Sequence, residues 1–306
     1  MSHAAQFRSL LASGKMVIAP GAIDGITGRA IDRAGFSAAY MTGAGTSATL
    51  GYPDYGLLTM TEMVANATRI VNSISIPLIS DADTGYGNEL NVFRTVQEFE
   101  RAGVAAIHIE DQVFPKKCGH LDNKEVVSRE DYIAKIRAAA AARRTADFCI
   151  IARTDSRAML GLDEAIARAN LALANGADVA FVEAPQTMEE IALVPQRVRG
   201  ACLLNVVRGG KTPDIVLADA QAMGYKIAIL PGLLLGGIIS VCDELLEDVK
   251  RMGKYPPPKG DSSPAKTFAR FGSAEWDARR TAFREPLGDP ADAPSTAPAR
   301  QSVPAK

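Results

Sequence analysis

The stretch Ile107–His120, IHIEDQVFPKKCGH, decides how this chain is interpreted. Its first residues alternate between apolar and polar, which indicates a strand that ends at the acidic pair Glu110–Asp111. Carboxylates at a strand end favour a hard cation, lysines beside Cys118 favour its reactive thiolate, and Gly119 lets the backbone approach a ligand closely. The stretch therefore predicts a metal site and an activated thiol in one active site, although a KKC triplet alone is more typical of a solvated loop.

A second acidic segment strengthens this interpretation. The run Ile76–Ser80 (IPLIS) is apolar enough for a buried strand, and Asp81 and Asp83 follow it closely. Acidic residues at the ends of two buried strands are hard to explain as ordinary solvent-exposed charges. We therefore expect both segments to contribute to the same site.

The composition and charge limit the class of protein. The chain has 306 residues, 47% hydrophobic and 23% charged, which is typical of one large globular domain or two smaller ones. A formal net charge of −1 gives no electrostatic reason to bind nucleic acid or an anionic membrane. The N-terminus lacks an apolar signal-peptide core, and no run reaches the ~18 apolar residues of a membrane span.

The cysteines predict a reducing compartment. Cys118, Cys149, Cys202 and Cys242 are widely spaced and form no CxxC pair. Such spacing favours free thiols in a cytoplasmic protein over a disulfide framework. Cys149 and Cys202 lie in apolar runs and are expected in the core.

Short apolar runs alternate with helical patterns along the chain, which predicts parallel βαβ units. The eight predicted strands cover residues 16–20, 37–41, 77–81, 105–109, 148–152, 179–182, 202–204 and 226–230. Eight such units fit a (β/α)8 TIM barrel, with an open doubly wound sheet as the alternative. The sequence contains neither a GxGxxG after the first strand nor a Walker A motif.

Polar residues at the strand ends favour the barrel, because barrel active sites form at the carboxyl ends of the strands. These residues are Asp81, Asp83, Glu110, Arg153, Glu183 and Asn205. The segment Thr42–Ser47 is expected to be a loop of small residues that presents backbone donors at the same end.

Three segments are predicted along the chain. Residues 1–254 form the barrel, and residues 255–284 form a linker and one further helix. Three aromatic residues of that helix are candidates for docking on another subunit: Phe268, Phe271 and Trp276. Residues 285–306 are rich in Pro, Ala, Ser and Asp and are predicted to be disordered.

The motifs together resemble the isocitrate lyase / phosphoenolpyruvate mutase superfamily over most of the chain. The matching segments are YMTGAGTSATLGYPDYG (40–56), DADTGYG (81–87), HIEDQ (108–112), KKCGH (116–120), ARTD (152–155) and EA (183–184). The KKCGH loop is similar to that of the lyase branch, which includes 2-methylisocitrate and 2,3-dimethylmalate lyases, and the phosphonate-forming mutases generally lack it. The resemblance implies a (β/α)8 barrel whose last helix is exchanged between subunits, in a tetramer built from helix-exchanged dimers.

The resemblance also implies a cofactor and a set of site residues. Mg²⁺, with Mn²⁺ as a substitute, is implied at Asp81, Asp83 and Glu110, the last acting through water. Substrate-binding roles are implied for Thr42, Gly43, Ala44, Gly119, Arg153, Glu183 and Asn205. Catalytic roles are implied for Cys118, Lys116, Tyr40 and His120. His108 is interpreted as an interior histidine whose hydrogen bonds are satisfied, and Asp111 as a carboxylate that orients neighbouring residues.

The implied reaction is cleavage of a carbon–carbon bond in a 2-hydroxy acid. Tyr40 removes the hydroxyl proton, the C2–C3 bond breaks in a retro-aldol or retro-Claisen step, and one product leaves as pyruvate. Cys118 then protonates the other fragment, while Lys116 and His120 tune the thiol and the developing charge. Tyr40 is equally interpreted as an ordinary barrel residue, and His120 as a residue that orients the loop.

The sequence departs from the superfamily where a third carboxylate would be held. Methylisocitrate lyases carry an arginine after the eighth-strand proline, whereas Pro231–Gly236 (PGLLLG) has no cation here, and Arg208 stands where a glutamate is usual. An unpaired carboxylate in an apolar pocket is costly. The sequence therefore predicts a dicarboxylate of the 2-alkylmalate type, such as 2,3-dimethylmalate, unless Arg208 provides the missing cation.

Other functions stay open on the sequence. The same scaffold and acids serve 2-methylisocitrate lyases, oxaloacetate hydrolases or decarboxylases and, less directly, the carboxyphosphonoenolpyruvate and PEP phosphonomutases. A catalytically silent barrel that binds a partner is a further class, against which the intact acids, Cys118 and Arg153 argue. We expect a cytoplasmic homo-oligomer that acts on a small carboxylate, with no nucleic-acid or membrane partner.

Overall fold

Eight parallel strands close into a barrel in the order of the chain in the computed structural model, which describes residues 1–258, 260 and 262–284. The strands are β1 (Val17–Ala22), β2 (Ala39–Met41), β3 (Leu78–Asp81), β4 (Ala106–Glu110), β5 (Cys149–Thr154), β6 (Val179–Val182), β7 (Ala201–Asn205) and β8 (Ile227–Leu230). The predicted (β/α)8 barrel is confirmed. The open-sheet alternative is wrong, because β1 pairs in parallel with β8.

Helices alternate with the strands along the chain. They are α1 (His3–Ala12), α2 (Gly25–Arg33), α3 (Gly43–Thr49), α4 (Met60–Val71), α5 (Glu89–Arg101), α6 (Arg129–Ala142), α7 (Arg157–Leu160), α8 (Leu162–Ala174), α9 (Met188–Arg197), α10 (Leu217–Met223), α11 (Gly232–Met252), α12 (Pro264–Ala269) and α13 (Ser273–Ala282). Phe7 of α1 is buried in the cluster that fills the barrel interior, together with Ile79, Ile151 and Phe181. The apolar interior leaves the carboxyl end of the strands for polar groups.

Strand register brings the predicted polar residues side by side. Asp81 pairs with His108 across β3 and β4, and Glu110 pairs with Arg153 across β4 and β5. Because these pairs lie at the carboxyl ends of parallel strands, they meet at one mouth of the barrel.

Two sequence predictions are wrong in detail. The expected loop Thr42–Ser47 is mostly the helix α3, because the Thr42 hydroxyl caps it by accepting a hydrogen bond from Gly45 N at 3.2 Å. The single helix expected within residues 255–284 is divided into α12 and α13. Gly272 has a φ of 79° there, a conformation that an α-helix does not continue through.

The chain falls into two compact units, residues 1–247 and the segment from Asp248 onward. The first unit holds the barrel, and the second holds α12 and α13, on which Phe268 and Trp276 are exposed. The expected boundary at residue 254 and the exchange of a helix between subunits stay predictions. The predicted disordered tail, 285–306, lies outside the described residues. Across the part of the chain that is described, none of the helices has the length and apolar character needed to cross a bilayer.

Candidate active site

The acidic segment after β3 forms one side of the barrel mouth. Asp81 and Asp83 are buried, and Asp83 has a left-handed φ of 47°. The Asp81 carboxylate accepts hydrogen bonds from Asp83 N at 3.0 Å and from Gly43 N at 3.1 Å. Lys116 Nζ lies 2.9 Å from Asp83 Oδ1 and 2.5 Å from Asp54 Oδ1. The two aspartates are therefore held by α3 on one side and by the KKCGH loop on the other.

Arg153 organises the opposite side of the mouth. Its guanidinium donates to both oxygens of Asp155, at 2.9 and 3.2 Å, and lies 3.2 Å from Glu110 Oε2 and 3.7 Å from Glu183 Oε1. Glu183 also accepts two hydrogen bonds of 3.2 Å from Asn205 Nδ2. The predicted substrate residues Arg153, Glu183 and Asn205 are therefore joined by hydrogen bonds and ion pairs.

Negative charge is in excess around the mouth. The buried or nearly buried carboxylates are Asp54, Asp81, Asp83, Glu110, Asp155 and Glu183, against the three cations Lys116, Lys124 and Arg153. Glu110 Oε1 accepts no hydrogen bond from any described residue. Burial raises the pKa of Glu110 and raises that of Asp83 to about 6, because the ionised forms lack sufficient compensating charge.

This arrangement fits a divalent cation. Mg²⁺ binds through one or two carboxylates and keeps several waters, so it needs no cage of protein ligands. Within the described ranges no three His, Cys, Asp or Glu side chains form such a cage. The residues that could hold the ion are the predicted ones, Asp81 and Asp83 with Glu110 beyond them.

Tyr40 and His108 form a buried pair beside Asp81. The Tyr40 hydroxyl lies 2.8 Å from His108 Nε2 and 3.4 Å from Asp81 Oδ2. Burial raises the pKa of Tyr40 well above its ordinary value and lowers the pKa of His108 to about 4. His108 is an interior histidine, as predicted, with Nε2 bonded to Tyr40, but its Nδ1 has no partner among the described residues.

The KKCGH loop covers the mouth. Cys118 N donates to the Asp54 carbonyl at 3.1 Å, and a Cβ at Gly119 would overlap the side chains of Glu183 and Arg153. Only glycine permits this close approach. His120 Nδ1 accepts a hydrogen bond from Lys211 N at 3.0 Å, which supports the interpretation that this histidine orients the loop.

The surroundings of Cys118 do not favour the expected thiolate. Burial raises the pKa of the partly buried thiol, although the backbone N–H of His120 opposes the shift. The charge of Lys116 is taken up by Asp54 and Asp83, so it does not stabilise a thiolate. A protonated thiol is the form that a proton donor requires.

A cavity of about 120 Å³ lies beneath the loop. Ten of the predicted site residues line it: Tyr40, Thr42, Ala44, Asp81, Cys118, Gly119, His120, Arg153, Glu183 and Asn205. The other four, Gly43, Asp83, Glu110 and Lys116, bond or pair with residues of this wall. Ligand sites for drug-sized molecules typically measure ~300–1,000 Å³, so this cavity suits a smaller acid.

The wall near β7 and β8 is apolar. It consists of Val207, Pro231, Gly232 and Leu235. The Arg208 side chain is 91% exposed and lies 3.8 Å from Asp214, so it does not supply the missing cation. Sequence reasoning left this question open because adjacent residues of a loop can point in opposite directions.

Sequence reasoning also missed polar residues of the site. Asp54 and Asp155 lie within quoted motifs and could have been found from them, but Lys124 lies outside every motif. The expected role of Asp111 agrees with its contacts, since its carboxylate accepts hydrogen bonds from Asp155 N at 2.8 Å and from the Thr154 hydroxyl at 2.6 Å.

A closed barrel with buried acids and an arginine at the carboxyl ends of its strands has the arrangement on which barrel enzymes build their active sites. A family profile described as phosphoenolpyruvate phosphomutase matches residues 7–250. A 2,3-dimethylmalate lyase of Eubacterium barkeri is 52% identical over 232 residues, which cover 76% of this chain and 80% of the relative. A 2-methylisocitrate lyase of Aeropyrum pernix is 42% identical over 246 residues, covering 80% and 79%.

Solved structures agree with these relatives. A structure of 2,3-dimethylmalate lyase superposes with a TM-score of 0.88 at 41% identity, covering 94% of this chain and 99% of that one. A structure of oxaloacetate acetylhydrolase with 3,3-difluorooxalacetate has a TM-score of 0.89 at 37% identity, with the same coverage. The chain belongs to the phosphoenolpyruvate phosphomutase family, within the PEP mutase/isocitrate lyase superfamily. The predicted superfamily and the prediction of a lyase-type enzyme are confirmed.

Proposed function

We propose that the chain is a Mg²⁺-dependent carbon–carbon lyase that cleaves a 2-hydroxy dicarboxylate of the 2-alkylmalate type to pyruvate and a second carboxylate. The observation that carries this proposal is the apolar wall of Val207, Pro231 and Leu235 in a cavity whose opposite side holds Arg153. A third carboxylate against that wall would be buried without a partner, at a cost of several kcal/mol. The similarity to a 2,3-dimethylmalate lyase supports the same substrate class.

The metal would be held by Asp81 and Asp83, with Glu110 acting through water, and Mn²⁺ is the expected substitute. When bound, the ion supplies positive charge that stabilises negative charge developing on the substrate oxygens. Arg153 orients a substrate carboxylate, and the N–H of Ala44, in the first turn of α3, is a second donor on the cavity wall.

The chain's own groups carry the two proton transfers. Tyr40 accepts the proton of the C2 hydroxyl while its own phenolic proton passes to His108 Nε2, 2.8 Å away. Cleavage of the C2–C3 bond turns C2 into the carbonyl carbon of pyruvate and leaves the bonding electron pair on C3. The Cys118 thiol then gives its proton to C3, which yields propionate when the substrate is 2,3-dimethylmalate. Lys116 and His120 hold the loop in place while this happens.

Oxaloacetate hydrolysis is the second candidate, because the oxaloacetate acetylhydrolase structure is as similar in fold as the 2,3-dimethylmalate lyase structure. Cleavage of 2-methylisocitrate is supported by a relative that covers four-fifths of the chain, but it would need a cation on the apolar wall. A phosphonomutase is less favoured because of Cys118, and a silent binding barrel because the acids are intact.

The assembly is a further part of the proposal. We expect a cytoplasmic homotetramer of helix-exchanged dimers, supported by the exposed Ile239, Leu245 and Leu246 on α11. Light scattering after size-exclusion chromatography would measure the mass. A monomer at micromolar concentration would contradict this part.

The deciding experiment measures pyruvate release with Mg²⁺, coupled to lactate dehydrogenase. The substrates are 2,3-dimethylmalate, 2-methylisocitrate, isocitrate and oxaloacetate, the last with an enzyme-free control because it loses CO₂ unaided. We expect turnover of dimethylmalate with propionate as co-product. Preference for 2-methylisocitrate would overturn the substrate class, and oxalate plus acetate from oxaloacetate would favour the hydrolase. Arg208→Met is the matched control and should change none of these activities.

A further inference from the structure

Lys124 is a buried cation that the proposed reaction does not use. It lies at the far end of the loop that carries Cys118, and its side chain is 1% exposed. Lysine is almost never buried unless its charge is paired. The contacts of this ammonium group therefore indicate what it does.

The Lys124 ammonium joins the loop to the barrel. It donates to the backbone carbonyl of Gly119 and to Asp155 Oδ1, the latter at 2.8 Å. Asp155 Oδ1 also accepts from Arg153 Nη2 at 3.2 Å, and Asp155 Oδ2 accepts from Arg153 Nε at 2.9 Å. One carboxylate thus binds both the loop and the guanidinium that faces the cavity.

Asp155, the carboxylate that binds Lys124, is itself held in place by other residues. Asp111 accepts hydrogen bonds from Asp155 N at 2.8 Å and from Arg168 Nη1 of α8 at 3.1 Å. Asp155 is fully buried and the positive charges of Arg153 and Lys124 outweigh its burial, so its pKa is held well below the ordinary value. The carboxylate stays ionised and has little freedom to move.

We propose that Lys124 is a positioning residue of this active site. It fixes the Gly119 carbonyl over the cavity and thereby holds the Cys118 thiol at a defined position relative to Arg153. Gly119 is the point where the loop comes closest to the barrel, since a Cβ there would overlap Glu183 and Arg153. The near end of the loop is held separately, by Cys118 N on the Asp54 carbonyl. Lys124 therefore controls the far side of the closed loop. Its catalytic consequence rests on the proposed function, but its effect on the loop does not.

The test compares Lys124→Met, Lys124→Gln and Lys124→Arg in the full chain, without substrate. The readout is the alkylation rate of each cysteine with iodoacetamide, measured by peptide mass mapping. Cys149 and Cys202 are buried and report global unfolding, and the wild-type protein alkylated in parallel is the reference. We expect Cys118 to react about tenfold faster or more in the Met variant, because one partner of a buried pair is lost. The Arg variant should recover most of the protection.

Asp122→Asn is the matched control. Asp122 belongs to the same loop and pairs with Lys211 at 2.5 Å, but its side chain is 81% exposed, so its loss should leave the Cys118 rate unchanged. If Cys149 is also labelled in the Met variant, that variant is unfolded, and the Cys118 rate of the Gln variant is used instead because glutamine keeps a hydrogen-bond donor. A wild-type Cys118 rate in the folded Met or Gln variant would overturn the proposal.

Kinetics add a second readout. With a substrate that turns over, the Met variant should lose about 10²-fold in kcat, because a small displacement of a catalytic group has that effect, with a smaller change in KM. An unchanged kcat would also overturn the positioning role. If no substrate turns over, the proposed function fails while the alkylation rates still test Lys124.

Discussion

The two ends of the barrel use charged residues in opposite ways. At the amino end, the Asp178 carboxylate pairs with Arg8 at 2.9 Å and with Arg143 at 2.8 Å, and it accepts a hydrogen bond from the backbone N–H of Ile150 at 2.8 Å. Donors therefore surround one carboxylate. At the carboxyl end, six carboxylates share three cations, and Glu110 Oε1 has no donor among the described residues. The first arrangement stabilises the fold, and the second leaves binding capacity for a ligand.

This difference predicts the effect of replacing a charged group at either end of the barrel. A change at the amino end should lower stability and spare activity, because its groups are already satisfied. A change at the carboxyl end should lower activity and spare stability, because its groups are incompletely paired without a ligand. Substitutions at each end test the contrast.

The largest effect is expected for Cys118→Ser. A serine hydroxyl is a much weaker acid than a thiol, so kcat should fall about 10²–10⁴-fold, the scale of general acid catalysis. Steady-state pyruvate release with 2,3-dimethylmalate measures it. Cys242→Ser, which changes an exposed thiol on α11, is the control and should retain full activity. Full turnover by Cys118→Ser would remove the proton-donor assignment.

A somewhat smaller loss is expected for Asp83→Asn. The amide keeps the shape of the side chain but removes a charge from the implied metal site, so kcat/KM should fall about 10²–10³-fold. Titration of Mn²⁺ followed by electron paramagnetic resonance should show weakened binding, and thermal unfolding should change little. Wild-type Mn²⁺ affinity in this variant would place the metal elsewhere.

Leu235→Arg should change preference rather than abolish activity. It adds a cation to the apolar wall of the cavity, where a third carboxylate would lie. The ratio of kcat/KM for 2-methylisocitrate to that for 2,3-dimethylmalate should rise about tenfold or more. Leu233→Arg, an exposed position two residues earlier, is the matched control. An unchanged ratio for Leu235→Arg would mean that this wall does not select the substrate.

The smallest effect on activity is expected at the amino end. Asp178→Ala removes two partly buried ion pairs and a backbone hydrogen bond, which should cost about 2–3 kcal/mol of unfolding free energy. Urea unfolding measures this loss, and pyruvate release should stay within about twofold of wild type, because Asp178 directly precedes β6, at the end of the strands opposite the catalytic mouth. A large loss of kcat with normal stability would contradict the division between the two ends.

Much of the fold was readable from local pattern. Apolar runs such as residues 179–182 are too short for helices and recur between helical segments, so parallel strands follow from them. Asp81 and Glu110 were recognisable as site residues because acids directly after buried strands are costly unless they bind something. The helix α3 was missed because small residues from Gly43 to Thr49 have weak propensity, and the Thr42 cap decides it.

The surroundings of Cys118 could not be predicted from its sequence neighbours. Adjacent lysines suggested a thiolate, but Asp54 and Asp83 arrive from distant segments and take up the charge of Lys116. The direction of Arg208 and the burial of Lys124 likewise depend on which surface each part of a loop faces.

By itself, the sequence determined the succession of eight strand–helix units and the presence of acids, an arginine and a cysteine at or after strand ends. These are properties of neighbouring residues, which propensity and hydrophobic period express directly. Only the tertiary structure decided the excess of negative charge at the mouth, the pairing of Tyr40 with His108, and the bridge from Lys124 through Asp155 to Arg153. Those depend on distances between residues far apart in the chain and on the loss of water around them, which no local pattern contains.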